Sequence, residues 1–469
     1  MKPKGEWFMY IKVPSYLETL ADIFEQRGYP LYIVGGYIRN AILGLNDKDI
    51  DICSKATPND VRKILRGTKY SVSVKNERLG VIAIHYENEY IEHATFREEV
   101  YEVPGIHTPT SVNFVESIEE DYSRRDFSCN AIYYRISTRE IIDPAGGVAD
   151  LQKRIVKTCT LPRLVFQNDG IRILRMVRFA CSLTLNIDPE TFAVAKQNVF
   201  RLKFISKQTI RDEFSRIIQA DIEYPELPNS YYAHSRGLFL IGELGAWKYV
   251  IPEIARMKES GLMANKTQTL YTHTLTCAEV SAPEVRLSAL LHDIGKLRSY
   301  ETNGTFAHHA EIGSALIPDI LGEKGLNYSN DIVRRVTKLI ACHKFDEHGV
   351  ASKKSVKLFI IENYRIFPLI IMLKHATTIA KNPNVSSSKI ANRWQNIYQA
   401  MVRQNVPFEK KYVAVNGAYV MEHFPNLPKY MVSECMNFLH QYAVLHPRKN
   451  KEKYLYKQAR KFCKQAHCL

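Results

Sequence analysis

The pattern of apolar residues changes near residue 150, and this change constrains the fold more than any other feature of the chain. Before it, short apolar or alternating runs at 30–34, 48–53, 80–86, 90–96 and 131–136 predict strands. After it, apolar residues recur at helical spacing, interrupted by prolines such as Pro252, Pro283, Pro318 and Pro407. The pattern therefore predicts a mixed α/β head followed by a mostly helical body.

The length of the chain, 469 residues, is sufficient for about two to four domains. We place boundaries near residues 150, 260 and 385, which divides the chain into 1–150, 151–260, 261–385 and 386–469. Apolar residues make up 45% and charged residues 24%, an ordinary globular composition that excludes a disordered chain.

Charge is distributed unevenly along the chain. The formal net charge is +15, but residues 1–150 carry −5 and the remainder carries +20. This division favours metal-binding carboxylates in the head and a polyanion along the body. The alternative is a solvated, mildly basic surface. The basic stretch 447–462 is either a helix that binds phosphates or a charged terminal helix docked on the body.

The remaining features exclude several classes of protein. The nine cysteines form no Cys-x-x-Cys pair, so they indicate reduced thiols rather than a zinc ribbon or a redox motif. The most apolar stretch, 358–373, contains Glu362, Arg365 and Pro368, which favours a buried helix pair over a membrane span. The N-terminal residues have no apolar run of the kind a secretory signal needs, and we expect a cytoplasmic protein without membrane attachment.

Two aspartates follow a glycine turn in the head. Residues 30–36 predict a short strand ending in glycines, 38–43 the next helix, and 48–53 a second strand. Asp49 and Asp51 are two residues apart, so on a strand their side chains project from the same face. Two such carboxylates repel each other unless a divalent cation lies between them, and oxygen ligands suit Mg²⁺.

The glycines complete this pattern. Gly35 and Gly36 let backbone N–H groups approach a triphosphate because no Cβ intervenes, and Arg39 lies one helical turn further on. Taken singly, an Asp-x-Asp is commonly a solvated strand face, and two glycines before a helix are commonly only a turn. Together, within about 17 residues, they predict a metal and triphosphate site of the kind used in two-metal phosphoryl or nucleotidyl transfer.

Residues 34–39 (Val-Gly-Gly-Tyr-Ile-Arg), followed by Asp49-Ile-Asp51, resemble the signature of the class II tRNA nucleotidyltransferases and bacterial poly(A) polymerases. Further motifs of that family follow in order at 121–131 (Asp-Tyr-Ser-Arg-Arg-Asp-Phe-Ser-Cys-Asn-Ala), 143–151, 168–179 and 211–213. The resemblance covers about residues 30–215. It implies an α+β fold: a nucleotidyltransferase (polymerase beta-like) α/β head followed by a mostly α-helical neck, body and tail.

The resemblance also implies a function. It is that of a template-independent enzyme that adds CCA to the tRNA 3′ end from CTP and ATP and releases pyrophosphate, with Mg²⁺ as cofactor. Alternatives within the family are a poly(A) polymerase or a partial enzyme that adds only A or only CC. Outside it, the head could merely bind RNA beside a hydrolase domain, or the chain could be a non-enzymatic RNA-binding module. A non-enzymatic RNA-binding module would not need Asp49 and Asp51.

The family motifs assign roles to individual residues. Asp49 and Asp51 would hold the catalytic metals, and the set that would contact the nucleotide comprises Gly36, Arg39, Arg125, Asp169, Arg172, Arg175 and Arg178. Asp169 and Arg172 would pair with the base, because a carboxylate acceptor and a guanidinium donor can satisfy either a C or an A edge. Arg175 and Arg178 continue the same helix face at a spacing of three residues, where the alternative is a solvated helix surface.

Some positions depart from the family pattern or remain candidates. Asn40 and Asn168 stand where the family usually has Asp and Glu. Glu92 is a candidate third carboxylate, and residues 75–80 resemble a flexible loop that assists the addition of A.

A histidine cluster follows in the body. His273, the pair His292-Asp293, and later His309 and His343 resemble the metal-binding pattern of HD phosphohydrolases, which predicts an HD-type domain at 261–385. Within it, His273, His292 and Asp293 are candidate ligands of a second divalent metal. The last carboxylate of that family falls on Thr377, so we expect an HD fold with doubtful phosphatase activity.

Overall fold

The computed structural model describes residues 11–46, 49–102, 105 and 107–466. The chain forms two compact units. The first unit contains the residues up to Arg256 together with Glu323–Tyr328, and the second contains Met257–Gly322 and the residues from Ser329 onward. Within the described residues, no helix is both long and apolar enough to cross a membrane.

The first unit is built on a mixed seven-stranded sheet of order β3-β4-β5-β2-β1-β8-β9. Only β2 and β5 pair in parallel, and all other neighbours are antiparallel. Two short pairs, β6-β7 and β10-β11, lie outside this sheet. The strands are β1 Tyr32–Val34, β2 Asp51–Ser54, β3 Ser71–Asn76, β4 Val81–Tyr86, β5 Glu89–Thr95, β6 Arg97–Val100, β7 Ser111–Phe114, β8 Tyr133–Arg135, β9 Glu140–Ile142, β10 Ile155–Val156 and β11 Asn186–Ile187.

Helices alternate with the strands along the chain and predominate from residue 162 onward. They are α1 Ser15–Glu25, α2 Gly36–Ile42, α3 Pro58–Leu65, α4 Ile118–Asp121, α5 Gly147–Gln152, α6 Pro162–Asn168, α7 Arg172–Ser182, α8 Pro189–Asn198, α9 Lys207–Ile217, α10 Ala220–Glu223, α11 Ala233–Leu244, α12 Trp247–Val250 and α13 Pro252–Ser260. The predicted change from strands to helices near residue 150 is confirmed.

The register of the sheet places the glycine turn beside the aspartates. Val34, the last residue of β1, is opposite Asp51 on one side and Tyr133 on the other, and Asp51 is opposite Glu92 of β5. Gly35 then turns the chain at φ 83°, a left-handed conformation that favours glycine, and α2 begins at once. The glycine turn and the first residue of β2 therefore lie at the same end of these two central strands.

One sequence expectation about this edge is wrong. The alternating pattern predicted a strand over residues 48–53, with Asp49 and Asp51 on its same face, but β2 begins only at Asp51. Lys48 lies outside the described residues. Strand β2 pairs with β1, and β1 ends at Val34, which lies opposite Asp51. The ladder of backbone hydrogen bonds between the two strands therefore starts at Asp51. Asp49 therefore precedes the strand, and the alternation of side chains along a strand does not set the direction of the Asp49 side chain.

The second unit is helical in its described residues, as expected. Its helices are α14 Leu270–Glu279, α15 Arg286–Leu291, α16 Gly295–Asn303, α17 His309–Leu321, α18 Asn330–Cys342, α19 Lys353–Asn363, α20 Phe367–Lys381, α21 Lys389–Arg403, α22 Gly417–His423, α23 Lys429–Leu445 and α24 Glu452–Gln465. The apolar stretch at 358–373 forms parts of α19 and α20, whose buried residues share a core with Trp394 of α21. The predicted buried helix pair is confirmed.

The basic C-terminal helix α24 docks on its own unit. Leu455, Ala459 and Cys463 are buried in a core shared with Leu439 of α23, while the lysines of α24 point to solvent. The alternative of a charged terminal helix docked on the body is therefore confirmed, and phosphate binding by the exposed cations stays a prediction.

The segment at 143–151, the third family motif, owes its conformation to one carboxylate. Asp143 accepts hydrogen bonds from the backbone N–H groups of Gly147 (2.7 Å) and Val148 (2.9 Å), which are the first two of α5. Gly147 is required there because an added Cβ would lie 2.1 Å from the carbonyl oxygen of Ser128. The motif thus caps the start of α5 and lets this helix pack closely against Ser128.

We expect Asp143→Ala to lower the free energy of unfolding by about 1 kcal/mol, because two N–H groups at a helix start lose their acceptor. Asp143→Asn keeps one acceptor oxygen and should lose less. Urea unfolding followed by circular dichroism measures both. Equal losses in the two variants would contradict the capping role.

Candidate functional site

A cleft of about 620 Å³ lies in the first unit and collects most of the sequence-predicted site residues. The predicted residues that line it are Gly36, Arg39, Asp51, Arg125, Asp169, Arg172, Arg175 and Arg178. Eight arginines and five carboxylates contribute to its lining, so the lining carries an excess of positive charge. This charge suits a polyanionic ligand such as a triphosphate.

The two aspartates occupy different positions at this cleft. Asp51 is exposed and lines it, whereas Asp49, also exposed, is not among the lining residues. Glu92, the candidate third carboxylate, lies next to Asp51 in the sheet, but Lys75 donates a hydrogen bond to it across 2.5 Å. That hydrogen bond raises the pKa of Lys75. The exposed oxygens of Asp49 and Asp51 are of the type that Mg²⁺ prefers.

A buried network connects the glycine-turn helix α2 with helix α7. Arg39 donates to Asn130 (2.7 Å), and Asn130 donates to Asp126 (3.1 Å). The other oxygen of Asp126 accepts from Arg175 Nε (2.8 Å) and Nη2 (2.6 Å). Burial opposes the charged carboxylate, but the guanidinium groups of Arg175 and Arg172 hold the pKa of Asp126 well below its usual range.

Arg178, the next arginine on α7, is held by a second carboxylate. Its Nε donates to Glu213 of α9 across 2.7 Å, and both side chains are largely buried. Three guanidinium groups also surround the ring of Phe179, at 4.1 Å for Arg178, 5.1 Å for Arg39 and 5.4 Å for Arg175. Arg175 and Arg178 therefore line the cleft and also pair with carboxylates, so the alternative of a solvated helix surface does not hold at these two residues.

Arg125 is fixed in a similar way. It donates to Asp121 (2.9 Å from Nη2) and to the Tyr133 hydroxyl (2.8 Å), and Asp121 is fully buried. Arg124 donates to the other oxygen of Asp121 (2.8 Å). Burial opposes the charge of Asp121, yet the two arginines keep its pKa well below the usual range. The carboxylate therefore orients two cations at the rim of the cleft.

Asp169 and Arg172 lie together, although not on one helix. Asp169 follows the end of α6 and Arg172 begins α7, with Arg172 Nε 3.9 Å from Asp169 Oδ2. Asp169 Oδ1 accepts from the N–H of Ile171, and Arg172 donates to the carbonyl of Arg124 across 2.6 Å. One carboxylate and one guanidinium are therefore held in fixed positions at the cleft.

Sequence reasoning missed His107, which contacts the same carboxylate. Its Nδ1 lies 2.9 Å from Asp169 Oδ2, and half of its side chain is exposed. The hydrogen bond with Asp169 raises the pKa of His107, and partial burial opposes this rise. No sequence signal marks the residue, because it is a lone histidine 62 positions away from its partner.

The structure explains the departure at Asn40. Its side-chain oxygen accepts from Arg39 Nε (3.0 Å) while its amide donates to the Tyr224 hydroxyl (2.9 Å). An aspartate could accept but could not donate. Asn40 is fully buried, which favours the neutral side chain.

The second unit brings the predicted histidines together around Asp293. Asp293 Oδ2 lies 3.2 Å from His292 Nε2 and 3.7 Å from His273 Nε2, while Oδ1 lies 3.3 Å from His309 and 3.7 Å from His343. All five side chains are at least nine-tenths buried. These groups could hold a metal ion.

Thr377 lines a cleft of about 230 Å³ that also contains His292, Asp293, His309 and His343. Four lysines line the same cleft, at positions 296, 344, 374 and 381. Lys374 is nearly buried, and burial lowers its pKa to about 8. The hydroxyl of Thr377 and the ammonium group of Lys374 thus lie in the region where the resemblance to HD phosphohydrolases predicted a further carboxylate.

Comparisons with known proteins agree with this architecture. Residues 31–157 match the model of the poly A polymerase head domain, and residues 261–363 match the HD domain. A CCA-adding enzyme of Streptococcus suis is 34% identical over 212 residues, which are 45% of this chain and 51% of that protein. Poly(A) polymerase I of Salmonella typhimurium is 33% identical over 210 residues, 43% of this chain and 44% of the relative.

The aligned part of the chain spans about half the length of these curated relatives. The similarity in fold covers more of the chain than the similarity in sequence. The crystal structure of the Bacillus stearothermophilus CCA-adding enzyme in complex with CTP matches with a TM-score of 0.67 at 22% identity, covering 97% of this chain and 100% of that one. At this identity the match establishes a shared fold.

The sheet, the cleft and the helical second unit define a protein with a nucleotidyltransferase-type head and an HD domain. Over somewhat less than half of its length the chain is similar to CCA-adding enzymes and poly(A) polymerases.

The contact between His107 and Asp169 predicts a pH-dependent contribution to stability. The pKa of His107 in the folded chain lies above its ordinary value of 6.5. The stabilisation is therefore complete below about pH 6.5 and disappears as the pH rises through the folded-state pKa. We expect His107→Asn to lower the urea midpoint at about pH 6 and to leave it nearly unchanged at about pH 9.

His85→Asn is the matched control, because His85 Nε2 lies 2.7 Å from the Ser73 hydroxyl rather than from a carboxylate. It should change the midpoint similarly at both pH values. A pH-independent effect of His107→Asn would contradict the charged contact.

Proposed function

We propose that this protein is a template-independent nucleotidyltransferase that adds CCA to the 3′ end of tRNA from CTP and ATP with release of pyrophosphate. The observation that carries the proposal is the single cleft that combines the glycine turn and Asp51 with Asp169 and Arg172. A triphosphate site and a base-reading pair are thus available to one nucleotide. The CCA-adding relatives, one of them a structure with bound CTP, support the same substrate class.

In the proposed reaction, the tRNA 3′-hydroxyl attacks the α-phosphate, the bond to the β-phosphate breaks, and pyrophosphate leaves. The backbone at Gly36 and the guanidinium groups of Arg39 and Arg125 would bind the phosphates and sugar and would stabilise the charge that develops on the leaving group. Asp49 and Asp51 would hold Mg²⁺, which when bound lowers the pKa of the attacking hydroxyl and neutralises phosphate charge. No covalent intermediate on the protein is required.

Base selection would depend on Asp169 and Arg172. Cytosine and adenine each present an amino group that can donate to a carboxylate, beside a ring nitrogen that can accept from a guanidinium. Arg175 and Arg178 would act mainly by holding α7 in place, given their pairing with Asp126 and Glu213. His107 already occupies one oxygen of Asp169, so it would have to yield when a base binds.

A poly(A) polymerase is the second candidate, because a relative of that name is nearly as similar over the same part of the chain. An A-adding or CC-adding enzyme would use the same cleft.

The domains proposed from the sequence assign catalysis to 1–150, base and RNA binding to 151–260, an HD-type domain to 261–385 and a basic tail to 386–469. The exposed lysines of α24 are proposed to contact the tRNA backbone.

We expect Asp49→Ala and Asp51→Ala each to abolish nucleotide incorporation, because each removes a metal-binding carboxylate. The assay uses purified protein, tRNA lacking CCA, and radiolabelled CTP alone or CTP with ATP. The unsubstituted protein should add two C residues with CTP alone and then stop. Glu140→Ala, which removes an exposed carboxylate from β9 outside the cleft, is the matched control and should remain active.

The same assay decides between the candidates. Addition of two C residues followed by one A identifies a CCA-adding enzyme, and long A tracts without C addition identify a poly(A) polymerase. Full activity of Asp51→Ala would refute the assigned metal site.

Asp169→Ala tests the base-reading pair. Loss of the acceptor for the amino group should reduce the ratio of kcat/KM for CTP to that for UTP by about fivefold or more, since a base contact of this kind contributes about 1–3 kcal/mol of discrimination. Steady-state kinetics with each nucleotide measures the ratio. An equal loss for CTP and UTP would indicate that Asp169 only supports the fold.

A further inference from the structure

His107 occupies one oxygen of the carboxylate to which base reading is assigned. Its Nδ1 lies 2.9 Å from Asp169 Oδ2, and both residues line the cleft of the first unit. The other oxygen, Oδ1, accepts a hydrogen bond from the N–H of Ile171 across 3.0 Å. Arg172 approaches Oδ2 only to 3.9 Å and donates instead to the carbonyl of Arg124. Each oxygen of Asp169 therefore has a donor from the protein before a nucleotide arrives.

The backbone around His107 is anchored on both sides. The carbonyl of Gly105 accepts a hydrogen bond from the N–H of Gly170, the residue after the carboxylate, across 3.3 Å. On the other side, Arg78 donates to the carbonyl of Pro109 across 2.5 Å. The side chain between these anchors is 54% exposed. The imidazole can therefore turn toward solvent while its backbone stays in place.

We propose that His107 competes with the nucleotide base for Asp169 Oδ2 and thereby determines how strongly the site distinguishes C and A from U and G. This competition rests on the proposed function, which assigns base reading to Asp169. Cytosine and adenine carry an amino group that can replace the imidazole as the donor, whereas uracil and guanine present a carbonyl oxygen at the corresponding position. A carbonyl oxygen cannot donate, so it leaves the imidazole in place.

The competition weakens the binding of the preferred bases in particular. A base with an amino group gains Asp169 but loses the contact between Asp169 and His107, while a base without one displaces nothing. Removal of the imidazole should therefore strengthen the binding of CTP and ATP and sharpen their preference over UTP. His107 acts through Asp169 and touches no reacting atom, so it is a positioning residue.

Displacement of His107 also moves a proton. The charged groups that act most strongly on the imidazole are Asp169, Arg175 and Arg172. The hydrogen bond with Asp169 raises the pKa of His107 above its ordinary value of 6.5, while partial burial and the two guanidinium groups oppose this rise. Once a base replaces the imidazole, that hydrogen bond is lost and the imidazole releases its proton to solvent. Binding of CTP should therefore become stronger as the pH rises through the folded-state pKa.

A histidine that only stabilises the fold would behave differently. Its ion pair with Asp169 would shift the unfolding midpoint with pH, but it would leave the ratio of the affinities for CTP and UTP unchanged. The two nucleotides carry the same triphosphate, so the ratio of their dissociation constants also cancels the ionisation of the phosphates and their binding of Mg²⁺. This ratio therefore separates the competition from a structural role.

Isothermal titration calorimetry of the full chain tests the competition. CTP or UTP is titrated with Mg²⁺ but without RNA, so that no nucleotide is incorporated, at about pH 6 and about pH 8.5. At the lower pH, His107→Ala should bind CTP about two- to fivefold more tightly than the unsubstituted protein, as expected from loss of a half-exposed ion pair. At the higher pH the two proteins should bind CTP equally, and UTP binding should differ little at either pH.

His85→Ala is the matched control, because His85 Nε2 lies 2.7 Å from the Ser73 hydroxyl and His85 does not line the cleft. It should bind both nucleotides as the unsubstituted protein does. A second measurement needs no variant. Titrations at about pH 7 in buffers of different ionisation enthalpy count the protons released, and CTP should release more protons than UTP.

Two results would overturn the competition and leave the proposed function intact. The first is CTP binding with the same proton release as UTP binding, and the second is an equal dependence of the CTP to UTP ratio on pH in His107→Ala and the unsubstituted protein. Failure of the unsubstituted protein to bind CTP at either pH would contradict the proposed function itself, and the competition with it.

Discussion

The cleft of the first unit depends on the carboxylate of Asp126. It accepts hydrogen bonds from Arg175 and Asn130, and Asn130 in turn accepts from Arg39. A buried guanidinium group is costly unless a carboxylate compensates it, and here one carboxylate orients α7 while positioning an arginine of α2. The base-reading end and the phosphate end of the proposed site are thereby held together. Loss of Asp126 would remove the carboxylate hydrogen-bonded to Arg175, whose remaining carboxylate partner is Glu213 at 3.8 Å.

The two units differ in the burial and the type of the side chains that could bind a metal ion. In the head, Asp49 and Asp51 are exposed carboxylates, and oxygen donors of this type suit Mg²⁺. In the second unit, the buried carboxylate of Asp293 is surrounded by the imidazoles of His273, His292, His309 and His343. The contrast follows from burial and donor type.

Much of this could be predicted from local sequence. The apolar run before Gly35 and the alternating runs at 80–86 and 90–96 predicted strands that the structure contains. The predicted start of the second strand was wrong, because a strand begins where it has a partner, and Val34 ends the neighbouring strand opposite Asp51. The partners of Arg175 and Arg178 were also missed, since they lie 49 and 35 residues away in sequence.

The sequence by itself determined the family motifs, the change from strands to helices, and the types of side chain available for chemistry, because these depend on residues close together in the chain. Only the tertiary structure decided which of those side chains meet. His107 contacts Asp169 from 62 residues away, and Cys277 joins His292 from a different helix. Such contacts depend on how the elements pack, because distance in space rather than separation along the chain sets the strength of ion pairing and metal coordination.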